Sequence, residues 1–185
     1  MSKNKRNISH DLFGGFKKEG INSKAKGDSN ELISCKWLAK WTSYPFARVP
    51  RSGGLRWKNF SKVVGDVICQ DEELDFPFVV ETKHYKSVPV STKLRSNSIM
   101  YKFWKQVQGD SNRVETKYPL MLIRENGMPR MEYYFGVQHW LIPFIKCEPI
   151  VTAANDLVVY KSQDILRSTK FNYLYGKIKQ HEQDS

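Results

Sequence analysis

The chain has 185 residues, 40% hydrophobic and 26% charged, a globular composition long enough for one domain with a sizeable core. Its formal net charge of +11, from 30 Lys and Arg against 19 Asp and Glu, points to a polyanionic partner, nucleic acid before an anionic membrane. No apolar run reaches the ~18 residues of a membrane span, and the N-terminus lacks the apolar core and cleavage site of a secretory signal.

Residues 1–26 are rich in Lys, Asn, Ser and Gly without sustained periodicity, and are expected to form a basic flexible N-terminal arm. In GDSNELISCKWLAKW, Leu32, Cys35, Leu38 and Trp41 recur about every three residues, with Ile33 and Trp37 widening the stripe, which predicts an amphipathic helix. Asp28 or Ser29 would cap it, and Tyr44-Pro45 would end it. FARVP predicts a short strand, RSGGLRWKN a basic loop, KVVGDVIC a second strand, QDEELD a turn and FPFVVETKH a third strand. VPVSTKLRSNS is a linker, and IMYKFWKQVQGDSNRVE a helix with Met100, Phe103, Trp104 and Val107 on its apolar face. YPLMLIRE predicts a buried strand, ENGMP a turn and MEYYFGV a hairpin partner. The pattern over 138–156 is ambiguous; LVVY is a short strand and SQDILRSTKFNYLYGKIKQ a terminal helix. This order predicts an α/β domain with a central mixed β-sheet flanked by helices.

The third strand holds the chemistry. Side chains alternate, so Val79, Glu81 and Lys83 share one face and Phe78, Val80 and Thr82 the other. A turn centred between Glu73 and Leu74 sets Asp66 opposite Glu81, with Cβ atoms about 4.5–5.5 Å apart. Two carboxylates that close resist joint ionisation, and a divalent cation removes the conflict by taking both as oxygen ligands. Mg²⁺ suits a site with one or two protein carboxylates, its other positions going to water and substrate phosphate. Lys83, on the same face, can orient a water or stabilise developing negative charge. An isolated Glu-x-Lys is commonly a surface ion pair. Here both carboxylates emerge from strongly apolar strands, which favours a functional site. The three cysteines, Cys35, Cys69 and Cys147, form no CxxC pair and the four histidines show no ligand spacing, so a zinc ribbon is disfavoured and reduced thiols of a cytosolic protein are expected.

A DNA-binding surface has a separate basis. Arg48, Arg51, Arg56, Lys58 and Lys62 crowd the region between the first two strands, interleaved with Trp57 and Phe60, and Lys102 and Lys105 extend the track on the second helix.

Gly65-Asp66-Val67, a gap, then Val80-Glu81-Thr82-Lys83 resembles the PD-(D/E)XK nuclease signature, with glycine where the motif names proline. Lys26-Gly27-Asp28-Ser29-Asn30-Glu31 heading a helix, followed by Ala47-Arg48-Val49-Pro50-Arg51-Ser52-Gly53-Gly54, resembles the opening of archaeal and phage Holliday-junction resolvases of that superfamily. Phe103-Trp104-Lys105-Gln106 followed by YPLMLIRE resembles the helix–strand unit of phage resolvase-like endonucleases, and the likeness spans about residues 24–125. The exonuclease branch carries tyrosine four positions after a glutamine. Here Gln106 is followed by Asp110 and Gln108 by Asn112, which disfavours end-processing.

The resemblance implies a restriction-endonuclease-like core at 27–137 with a C-terminal extension at 138–185, both within one nuclease domain at 27–185. It implies that Asp66, Glu81 and the Thr82 carbonyl ligate Mg²⁺, with Mn²⁺ able to substitute, and that Lys83 is the catalytic lysine. Glu31 would supply an outer carboxylate, although Asp28-x-x-Glu31 also suits a variant capping box. Gln106 would face the site, although a solvent-facing glutamine fits the helix equally. Ser52 would approach the site from its loop, although Ser-Gly-Gly is also a plain turn. The implied function is a homodimeric endonuclease of branched DNA acting in recombination, in the cytoplasm of a phage-infected or prokaryotic cell. The alternatives are another structure- or sequence-specific nuclease, or a non-catalytic nucleic-acid-binding protein on the same fold.

Overall fold

The computed structural model describes residues 23–49, 64–90, 98–114 and 117–184. Residues 1–22 of the expected arm and the expected basic loop carrying Ser52, Arg51, Arg56, Lys58 and Lys62 lie outside the described residues, while residues 23–26, expected in the arm, open the first helix.

The first helix, α1 (Ser23–Thr42), begins earlier than its sequence signals suggest. Asp28 and Ser29 therefore lie inside it rather than at its cap, and the Asp28–Glu31 capping box does not form. Asp28 instead pairs with Arg48 at 3.2 Å, a tertiary contact available because its side chain projects from a completed turn. Trp37, Leu38 and Trp41 are buried, while Leu32, expected on the apolar stripe, is 52% exposed. The stripe follows the four-residue spacing Ile33–Trp37–Trp41, and Leu32 falls outside it.

Strands β1 (Phe46–Arg48), β2 (Val67–Cys69) and β3 (Phe78–Tyr85) follow, then α2 (Ile99–Ser111), β4 (Tyr118–Glu125) and β5 (Tyr134–Val137). A 3₁₀ turn (His139–Phe144) and strand β6 (Val151–Thr152) occupy the stretch whose sequence is ambiguous, and β7 (Val158–Lys161) is the short strand expected from LVVY. Ser98 caps α2 by accepting a hydrogen bond from the Tyr101 amide.

Among the described residues these strands form one seven-stranded sheet in the order β1-β2-β3-β4-β5-β7-β6. β3 and β4 are parallel and the other pairs antiparallel, so the sheet is mixed. A parallel pair needs a crossover, and α2 supplies it. Each face of the sheet has its own core. α1 covers Phe78, Val80, Leu120, Leu122 and Phe135, and α2 covers Val79, Met121, Ile123 and Val159. The alternation of apolar residues on both faces makes β3 and β4 nearly continuous hydrophobic runs, as in a strand buried on both sides.

Two expectations are corrected. Of KVVGDVIC, the described residues 64–69 do not form one strand, because Gly65 takes φ +93° and only Val67–Cys69 pair in β2. The C-terminal segment is two helices, α3 (Ser162–Ser168) and α4 (Phe171–Asp184). Thr169 separates them with φ −120°, held by tertiary bonds: its carbonyl accepts from Trp41 Nε1 at 2.9 Å and its Oγ1 accepts from the Lys146 amide at 2.9 Å.

Candidate active site

β3 carries Glu81 and Lys83 on the face turned to α2. Glu81 is 2% exposed, and its Oε1 receives both the Lys83 ammonium and the side-chain amide of Gln106, the latter at 2.7 Å. Lys83 also lies over the Phe103 ring, 5.9 Å from its centroid. Phe103 and Gln106 are one helical turn apart on α2, so a single edge of that helix meets both residues of β3.

Asp66 reaches the same place through an unusual backbone. With φ +93°, Gly65 lies so close to β3 that a Cβ atom would sit 2.7 Å from the Val80 carbonyl oxygen. Proline, fixed near φ −65°, could not occupy this position, which accounts for glycine where the motif names proline. The turn lets the Asp66 amide donate to Val80 O at 2.8 Å, while Asp66 Oδ2 accepts from the Thr82 amide at 3.0 Å. The Asp66 carbonyl accepts from the Val49 amide at 2.9 Å, so β1 holds the other side. Val67 pairs with Val80, the register that sets Asp66 beside Glu81, as the turn count predicts.

Thr82 lies between the two carboxylates. Within a strand, a residue's N–H and C=O point to the same edge. Since the Thr82 amide meets Asp66, its carbonyl faces that edge as well. The available donors are thus two carboxylates and one main-chain carbonyl, an all-oxygen set suited to a hard divalent cation rather than to zinc. Among the described residues no group of three or more His, Cys, Asp or Glu could hold a metal, so any cation here would complete its shell with water or substrate oxygen.

The electrostatics fit the same reading. Burial and then the neighbouring Asp66 push the Glu81 carboxyl up to about 7 from its ordinary 4.5, against the opposing pull of Lys83. Asp110 pushes in the same direction. This carboxylate escaped the sequence reading, yet its place four residues after Gln106 puts it on the same edge of α2. Arg113 pairs with Asp110 at 3.2 Å.

The remaining candidates are more dispersed. Glu31 is buried, 3% exposed, on α1, which packs against the opposite face of the sheet from α2. Arg48 is half-exposed at the end of β1 and paired with Asp28. Lys102 is exposed on the outer surface of α2. Lys105 is not on the edge that meets Glu81. With Gln108, Asn112, Tyr118 and Trp140 it lines a cavity of about 560 Å³ across the helix. No helix among the described residues is long and apolar enough to cross a membrane.

A family model described as "Phage putative PDDEXK endonuclease" matches residues 22–180. No curated protein and no solved structure gives a match.

Proposed function

We propose for this chain, which belongs to the phage PDDEXK endonuclease family, the activity of a divalent-cation-dependent endonuclease that cuts branched DNA in the manner of a Holliday-junction resolvase. The observation that carries the catalytic part is the convergence of Asp66, Glu81, Lys83 and Gln106 around the exposed end of a core strand. Such a constellation of buried like charges is costly unless a cation or a reaction uses it.

Asp66, Glu81 and the Thr82 carbonyl would hold Mg²⁺, with Mn²⁺ as a substitute. When bound, the cation would supply a more acidic water and charge compensation at the phosphoryl oxygen. The protein's own groups do the remaining work. Gln106 fixes the rotamer of Glu81 through its amide hydrogen bond. Lys83 balances Glu81 before substrate arrives and offers an ammonium to the negative charge that develops on phosphate during attack. Glu31, a third buried carboxylate, would have to reach the waters of the site from α1, past the end of the sheet. Lys102 and Arg48 supply phosphate contacts at the surface, together with Lys105, Arg51, Arg56, Lys58 and Lys62, and Ser52 would approach the site, as the resemblance implies.

Support for branched DNA comes from the resemblance of residues 26–54 to resolvase openings and from the basic character of the chain, +11 overall. Symmetric cutting of two strands would require a homodimer. The test is cleavage of four-way junctions, flaps and linear duplexes with Mg²⁺, with Mn²⁺ and with EDTA, beside Glu81→Ala. We expect junctions to be cut in preference, and both EDTA and Glu81→Ala to abolish cutting. Equal cutting of linear duplex would reject the resolvase reading, and full activity in EDTA would reject the cation. A protein that bound DNA without cutting any substrate would favour the non-catalytic alternative.

A further inference from the structure

Behind the face that bears Glu81 and Lys83, the strand is gripped by a buried set of hydroxyls and an amide. Thr82 projects to the α1 side. Its Oγ1 accepts from Asn30 Nδ2 at 2.7 Å and lies 2.6 Å from Ser34 Oγ. Ser34 Oγ is also 3.0 Å from the Asn30 carbonyl and 3.1 Å from the Tyr133 hydroxyl. Ser34, Thr82 and Tyr133 each have one hydroxyl proton for the three contacts at Ser34, while Asn30 Oδ1 is left buried without a hydrogen-bond partner. Asn30, Ser34 and Thr82 are at most 4% exposed and Tyr133 is 1% exposed. The spacing explains the convergence: Asn30 and Ser34 are one turn apart on α1 and present neighbouring polar atoms to a single strand position.

A polar cluster this dry is demanding to bury, and apolar residues of equal volume would pack there at less risk. What distinguishes its target is the other side of the same residue. The Thr82 amide holds the Asp66 carboxylate, and its carbonyl faces the same edge. We infer that Asn30 and Ser34 are positioning residues that act through Thr82 to fix Asp66 and the Thr82 carbonyl at the spacing a divalent cation needs. The inference rests on the cation-dependent reading above. It gives α1 a task besides carrying Glu31: it sets the depth and rotation of β3 beneath the site. Tyr133, from the segment before β5, anchors the cluster to the middle of the sheet.

The test uses Thr82→Val, which keeps the shape and main chain but removes the hydroxyl, with Ser34→Ala and the conservative Thr82→Ser. Mg²⁺ binding to each full-length protein is measured by calorimetry without DNA, well below the melting temperature, with Glu81→Gln as the control that removes a ligand. Wild type should bind Mg²⁺ at a site lost in Glu81→Gln. Thr82→Val and Ser34→Ala should weaken that binding about tenfold or more, the usual effect of losing a group that orients a metal ligand, while Thr82→Ser stays near wild type. A merely structural cluster would lower the melting temperature and leave the Mg²⁺ affinity of the folded protein unchanged, and that result would overturn the inference. So would a Thr82→Ser variant as impaired as Thr82→Val. If Thr82→Val fails to fold, Ser34→Ala carries the same reading. Wild-type protein with no Glu81-dependent Mg²⁺ binding would remove the cation itself, an outcome distinct from intact binding that ignores the hydroxyls.

Discussion

Replacing Glu81 by glutamine should make the protein more stable at neutral pH while removing its activity. The native state holds the Glu81 proton until about pH 7, whereas the unfolded chain releases it near 4.5. Between those values the native protein binds more protons than the unfolded chain, so stability falls as pH rises through the window and is level above it. A difference of about 2.5 units at 1.36 kcal/mol each gives a cost of about 3 kcal/mol for the ionised site without a cation. That cost already includes the compensation from Lys83, which is among the causes acting on Glu81. Glutamine has the same shape, still accepts from Gln106 and carries no charge, so it escapes the cost. In a chain of this size about 1 kcal/mol moves the melting temperature by roughly 2–4 °C, so the expected gain at pH 8 is roughly 6–12 °C. The assay is thermal unfolding of both proteins in EDTA from pH 4 to 8.5. The two curves should coincide near pH 4 and separate progressively to pH 7. Mg²⁺ should narrow the gap at pH 8 by binding only wild type. Equal stability at pH 8 in EDTA would show that the buried carboxylates are not in conflict, and the electrostatic case for a cation would fail.

Three further outcomes follow from the same geometry. Lys83→Met should leave Glu81 without its cation partner and cut the cleavage rate by about 100-fold or more, comparable to losing one charge-stabilising group, while DNA affinity changes little; single-turnover kinetics beside a binding titration separates the two. Gly65→Ala should destabilise the fold by about 1–3 kcal/mol, because it combines φ +93° with a 2.7 Å clash against Val80 O, and urea unfolding measures it. At the opposite end of β3, Asp75 bonds Lys117 and Lys179, and these lysines outweigh burial to hold its carboxyl below the ordinary 3.8. Its contribution is present above pH 3.8 and lost as pH falls through the lower native value. Because Asp75 is half-exposed, Asp75→Asn should cost under about 1 kcal/mol at pH 7 and less as pH falls through the lowered native value, by chemical denaturation across an acid pH series.

Parts of this site were legible from the chain because they depend on local rules. Alternation along FVVETK fixed the face of Glu81 and Lys83, and the single turn between β2 and β3 fixed Asp66 beside Glu81. Helix α2 was equally readable, and its three-to-four residue spacing explains why Gln106 reaches Glu81 and Lys105 does not. What escaped depends on contacts distant in sequence. Nothing near Ser34 shows that it meets Thr82, 48 residues later, and Tyr133, 99 residues later. The break at Thr169 was hidden for the same reason: its carbonyl is held by Trp41, 128 residues away, and local helix propensity cannot register that bond. Gly65 showed the converse. In sequence it was a departure from a motif, while in space it is the one residue type that allows Asp66 to approach β3.

The charge distribution joins these observations. A chain of net charge +11 attracts DNA at long range, and by the same field disfavours a free divalent cation. If a cation is used, as proposed, local acid would have to overcome that field at the site. Asp66 and Glu81, with Asp110 behind them, form such a place, and burial strengthens their pull by excluding water. In the proposed mechanism Lys83 would keep the pocket from becoming too acidic to receive phosphate, since it is tied to Glu81 yet remains about a quarter exposed. Phosphate oxygen arriving at the site would meet a cation on one side and the Lys83 ammonium on the other. Under the proposed cation dependence, the repulsion between the two carboxylates would be stored in the fold without substrate and relieved when cation and phosphate enter. That relief couples cation binding to DNA binding, so each should raise the affinity for the other by the same factor. Measured Mg²⁺ affinity should be higher with an uncleavable junction bound than with protein alone. Independence of the two affinities would mean that Lys83 and the carboxylate pair do not share one phosphate.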